Sequence, residues 1–136
     1  VTDAALTRGL DLFLVEENTV DAIELETILE DLGHRVVEVA ASLGQALDRL
    51  EESADEIDGV LLTPRLVGRS ARPLVLRLSR LGIPYVVLTD SPHMALRRMG
   101  FRAPRLAQHA PPAAVARALR DLTAIAPPRR AGFARL

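Results

Sequence analysis

The sequence predicts a doubly wound α/β domain, a mostly parallel sheet with helices on both faces. Three observations carry this expectation. Short apolar, β-branched runs alternate with helical patterns five times over about 120 residues. Gly, Pro, Asn and Ser punctuate the joins between them. The chain has 136 residues, 49% hydrophobic and 26% charged, which suits one globular domain with a single core.

Residues 10–15 (LDLFLV) read as the first strand. The helix that follows, residues 18–32, has Leu25, Ile28, Leu29 and Leu32 at helical spacing, Asn18 as its N-cap and Gly33 at its end. Residues 35–40 (RVVEVA) are β-branched and strand-like. Ser42 with Gln45 three residues on forms a capping box. It opens a helix that turns Leu43, Ala46, Leu47 and Leu50 to one side. Residues 57–62 (IDGVLL) form the third strand, and residues 64–70 a loop around Gly68. Leu74, Val75, Leu78 and Leu81 mark a third helix that Gly82 ends. Residues 84–88 (PYVVL) are the fourth strand, residues 91–100 a short helix with Pro92 in its first turn, and residues 105–107 the fifth strand. Pro111 and Pro112 start a last helix facing inward with Val115, Ala118, Leu119 and Leu122. Residues 123–136 read as a basic tail or linker broken at Pro127 and Pro128, and residues 1–9 as an N-terminal extension.

Composition removes several functions. The chain has no Cys, which excludes disulfides, thiol catalysis and Cys-ligated metal. All 17 basic side chains are Arg, so Schiff-base Lys chemistry and a Walker Lys are excluded. Aromatics are 3% and Trp is absent, which argues against base-stacking platforms. No apolar run approaches the ~20 residues of a membrane span, and no secretion signal is evident. A cytoplasmic location is expected. The first residue is Val1 rather than Met, as expected of a trimmed or excised segment.

The net charge of −1 hides an asymmetry. Residues 1–58 hold 16 acids against 3 Arg, a net of −13; residues 59–136 hold 14 Arg against Asp90 and Asp121, a net of +12. Such a division points to interaction surfaces.

In a doubly wound sheet, functional groups gather beyond the carboxyl ends of the strands. Here those positions are Glu16, Glu17, Thr63, Thr89, Asp90 and Gln108. Their surroundings resemble the bacterial response-regulator receiver domain of two-component phosphorelays. Leu14-Val15-Glu16-Glu17 resembles the acidic pair after strand one. Residues 58–68 resemble the strand that ends in the phosphoacceptor Asp, and residues 83–89 the strand that ends in the switch Thr. Leu106-Ala107-Gln108-His109 stands in place of Leu-x-Lys-Pro. The resemblance runs over residues 10–122. It implies a flavodoxin-like receiver fold with strand order 2-1-3-4-5.

In active members of that family, an acidic pair holds Mg²⁺, an Asp is phosphorylated, a Lys binds the phosphoryl group and the Thr moves toward it. This chain departs from that pattern. Thr63 occupies the phosphoacceptor position, and no base is evident beside it. Gln108 replaces the Lys. Glu16 and Glu17 are each a methylene longer than Asp, and Leu106 replaces a common aromatic switch residue. Losing the Asp and the Lys together leaves the pocket's formal charge unchanged.

These readings predict an atypical receiver that works by protein contact without phosphorylation and is not an enzyme. The alternatives are an Arg-rich face for nucleic acid, which is the weaker expectation, and a small enzyme on the same fold. Glu16, Glu17 and Asp90 form an acidic pocket, in which Glu16 and Glu17 are weak candidates for Mg²⁺ or Ca²⁺; no other cofactor is expected. Thr89 is the switch position. His34 is expected at a surface loop, and His93 and His109 lack metal-motif partners in sequence. Arg97, Arg98, Arg102, Arg105, Arg117 and Arg120 form the expected interaction face. Like charges would oppose a two-fold contact through that face. Its expected partner is a signalling protein or kinase, or, in a salt-sensitive and heterologous contact, the acidic helices of another copy (Glu24, Glu26, Glu30, Glu51, Glu52).

Overall fold

The computed structural model describes residues 9–125. The five main strands are β1 (Asp11–Val15), β2 (Arg35–Ala40), β3 (Gly59–Leu62), β6 (Tyr85–Leu88) and β7 (Arg105–Leu106). They form one sheet in the order β2-β1-β3-β6-β7, and every pairing in it is parallel. β1 and β3 are buried along their whole length, which is why both read as continuous apolar runs rather than alternating ones.

Two helices cover one face. They are α1 (Thr19–Asp31) and α5 (Pro112–Ile125), which bury Leu29, Val115, Leu119 and Leu122 against Leu12, Leu14 and Leu61. Three cover the other: α2 (Leu43–Ser53), α3 (Arg72–Leu81) and α4 (His93–Arg98). Leu50, Leu74, Leu78 and Leu96 there share a core with Phe13, Val60 and Leu62. Among the described residues no helix is long and apolar enough to cross a membrane.

The caps explain where the helices begin and end. Asn18 Oδ1 accepts the Asp21 N–H at 2.9 Å and starts α1. Ser42 Oγ accepts the Gln45 N–H, while Gln45 Oε1 reaches back to the Ala41 N–H at 3.0 Å, one residue before the usual target. Gly82, with φ of 71°, ends α3 in the left-handed region that favours glycine.

The structure differs from the sequence reading in four places. The loop expected over residues 64–70 is a hairpin: β4 (Arg65–Leu66) pairs antiparallel with β5 (Arg69–Ser70). Val67 and Gly68 turn it, with φ of 50° and 78°. Positive φ at both central residues is the mark of a tight hairpin turn, but a β-branched Val gives no sequence signal for it. The short helix α4 starts after Pro92 rather than around it, because Pro92 is the extended N-cap. α5 runs to Ile125, so residues 123–125 belong to the helix and not to a tail. The proposed break at Pro127 and Pro128, and most of the N-terminal extension, lie outside the described residues.

His34 is the fourth difference. It is half-buried rather than a free loop residue, and its Nδ1 accepts the Leu10 N–H at 3.1 Å. Burial pushes its pKa down, so the neutral acceptor form is favoured.

Candidate functional site

The carboxyl ends of β1, β3 and β6 open onto one cleft of about 390 Å³. It gathers Glu16, Glu17, Thr63, Thr89, Asp90 and Gln108, the six positions singled out by topology. Parallel strands delivered them there, since each residue directly follows or closely follows a strand end.

Their bonding is mostly to backbone. Glu16 is only 6% exposed, and its Oε2 accepts the Asn18 N–H at 3.0 Å. Burial raises its pKa, with smaller contributions in the same direction from the nearby Asp21 and Glu17 charges. Glu17 is exposed and crosses to the hairpin, where Oε1 accepts the Val67 N–H at 3.1 Å. Asp90 Oδ1 accepts the Gln108 N–H at 3.0 Å. The three carboxylates thus attend to three different backbone segments.

Thr63 is buried, and its hydroxyl donates to the Arg65 carbonyl at 3.1 Å. Thr89 is also buried; its Oγ1 accepts the Ser91 N–H at 3.0 Å. Gln108 aims its amide Nε2 at the Leu88 carbonyl, 3.4 Å away. Leu106 is buried in the core beneath α5.

The donor set departs from what Mg²⁺ needs. That ion demands near-octahedral oxygen donors at about 2.0–2.1 Å. One oxygen each of Glu16 and Glu17 is already engaged by the Asn18 and Val67 amides, and the Thr63 hydroxyl points its proton into a carbonyl. Among the described residues, the ligating groups that converge within 4.8 Å of one another lie elsewhere, at Asp21, Glu24 and His109. His109 has φ of 57°, and its imidazole sits 3.8 Å from Asp21 Oδ1 and 3.7 Å from Glu24 Oε2. Sequence spacing missed this trio because α1 supplies two members and the loop after β7 the third. His93 stands exposed at the start of α4.

The expected Arg face is divided by the layers. Arg97, Arg98 and Arg102 are exposed beside α3, on the α2–α3–α4 side. Arg117 and Arg120 are exposed on α5, in the other layer. Arg105 does not join either group freely, because its Nη1 donates to the Thr89 carbonyl at 3.0 Å. It ties β7 to the end of β6 instead.

No family model and no curated protein sequence matches the chain. Solved structures do. The response regulator PhyR from Brucella abortus matches with a TM-score of 0.76 and 23% identity, over 90% of this chain and 52% of that one. SdrG from Sphingomonas melonis Fr1 matches at 0.70 and 28% identity, over 84% and 96% of the two chains. PhyR from Bartonella quintana, described as an anti-anti-sigma factor, matches at 0.78 and 20% identity over 99% and 55%. The chain has the fold of the response-regulator receiver domains. PhyR regulators recur among its neighbours, and the chain spans about half the length of several of them.

Proposed function

We propose that this chain is a signalling module on the receiver fold that acts by protein contact and without phosphotransfer. The observation that carries the reading is the pair Thr63 and Gln108. At the end of β3, where the resemblance expects an acceptor carboxylate, stands a buried hydroxyl already donating to Arg65. A neutral hydroxyl attacks phosphorus only with a base beside it, and Glu16, the buried carboxylate of the cleft, accepts from Asn18. Gln108 supplies an amide where a phosphoryl group would need a point charge.

The proposed setting is a bacterial two-component pathway in the cytoplasm, with a regulatory protein as partner. The description of the Bartonella quintana neighbour as an anti-anti-sigma factor supports a protein partner. Among the described residues the cleft offers no hydrogen-bonded pair of nucleophile and base, and no catalytic role is proposed. No resident cofactor is proposed either; Mg²⁺ or Ca²⁺ at Glu16 and Glu17 would be weak.

Incubation with acetyl phosphate and Mg²⁺, read by intact mass, tests this reading. The mass is expected to stay unchanged. A stable gain of about 80 Da, the mass of one phosphoryl group, mapped to the cleft would overturn it.

A further inference from the structure

Between α3 and α4 lies an open groove of about 480 Å³. Arg72, Arg97, Arg98 and Arg102 line it around Tyr85 and Leu76, and among the described residues no acidic side chain does. All four Arg are exposed, and none forms an ion pair among the described residues. Arg72 lies across the end of α4: a Cβ built on Gly100 would come within 3.0 Å of its Nε. Along α3 the lining residues Arg72, Val75, Leu76 and Ser79 follow one helical face, a wall about 10 Å long at 1.5 Å per residue. Guanidinium groups gathered without a counter-charge repel one another and favour an anionic occupant. A long groove that sets Val75, Leu76 and Tyr85 among its Arg side chains suits an acid-studded helix better than a small anion.

The chain carries such a helix. Asp48, Glu51, Glu52, Asp55 and Glu56 run down α2 and the single 3₁₀ turn after it (Ala54–Glu56), spaced like one helical face. All five are exposed, and none forms an ion pair among the described residues. The sequence alone pointed to a heterologous contact. In the fold, stripe and groove lie on the same face of the sheet: α2, α3 and α4 share one core, and α3 stands between α2 and the groove. A two-fold axis over α3 sets stripe on groove twice. A face with an acidic stripe to one side and a basic groove to the other is self-complementary at those two places under such an axis, with Arg77 and Arg80 of α3 between them, whereas an all-Arg face is not.

We propose that two copies of this chain pair face to face, with the acidic α2 stripe of each seated in the Arg-lined α3–α4 groove of the other. Leu76, 52% exposed on the groove wall, is covered in the pair. Single exposed ion pairs contribute little, so the pair rests on the network as a whole and is weak and salt-sensitive.

Sedimentation velocity at low and high salt tests this with two surface variants, Arg97→Glu with Arg98→Glu and Glu51→Arg with Glu52→Arg. Circular dichroism confirms that each folds. The wild-type chain is expected to dimerise at low salt and dissociate at high salt. Each variant alone is expected to bind itself at least about tenfold more weakly, a loss of 1.4 kcal/mol. Mixing the two variants restores both contacts, so a one-to-one dimer is expected to return. The proposal is overturned by a wild-type monomer at low salt, by a dimer that resists salt, or by a mixture that stays monomeric. Species that keep growing with concentration would also overturn it, since they show head-to-tail stacking. An acidic peptide that binds a salt-independent monomer would assign the groove to another protein instead.

Discussion

The Glu17 carboxylate holds the backbone N–H of Val67, fifty residues away, at 3.1 Å. The bond pins the β4–β5 hairpin at its most strained residue, a β-branched side chain with φ of 50°. A left-handed conformation costs a non-glycine residue roughly 1–2 kcal/mol. Val67 is 64% exposed, so its side chain recovers little of that through packing. Val67→Gly is therefore expected to raise stability by about 1 kcal/mol, read as a higher urea midpoint. Glu17→Ala is expected to lower it. A lower midpoint for Val67→Gly would show that the exposed Val packs in a way that outweighs its backbone strain.

Acid is expected to act on the fold through two opposed groups. His34 has a lowered folded pKa, so the unfolded chain binds the proton more readily. Its contribution to stability is present above its ordinary value of 6.5 and is lost as pH falls from there through the lowered folded value. Glu16 has a raised folded pKa, so the native state binds the proton more readily between 4.5 and that raised value. Its burial costs stability at neutral pH and the cost is relieved as pH falls through the raised value. Glu16→Gln is expected to raise the neutral-pH melting temperature, and His34→Gln to flatten the loss of stability below pH 6.5. Melting curves across pH check both; a Glu16→Gln variant that melts lower would show that the carboxylate's bond to Asn18 outweighs its burial.

Beryllofluoride, a phosphoryl mimic, is expected to leave the NMR spectrum nearly unchanged. Thr89 is bonded to Ser91, its carbonyl is held by Arg105, and Gln108 is tied to Asp90. Movement of Thr89 further into the cleft would break the first of these bonds, and Thr63 offers no carboxylate there to hold the mimic. Shifts spreading through β6 and β7 would contradict this account.

Leu50 is fully buried in the core under α2, among Phe13, Ile57 and Val60. Leu50→Ala is expected to cost about 2–5 kcal/mol through lost burial and the cavity left behind. Because α2 carries the acidic stripe, the same variant is expected to weaken self-association along with stability. Calorimetry and sedimentation on one preparation check both.

Periodicity and caps were enough to lay out this protein's five βα units. Leu25, Ile28, Leu29 and Leu32, the Asn18 cap and the Ser42–Gln45 box are local signals, set by helical geometry within a few residues. The gathering of Glu16, Thr63, Thr89 and Gln108 was also legible, because parallel strands must end on the same edge. Tertiary structure alone decided the rest. Glu17 finds Val67, His34 finds Leu10, His109 finds Asp21 and Glu24, and Arg105 turns inward to Thr89, all across separations that no spacing rule encodes. The division of charge was visible in the chain, but not that α2 and the α3–α4 groove share a face. Right-handed crossovers fix the side each helix takes once the strand order is set, and that order comes from non-local strand pairing rather than from any one segment.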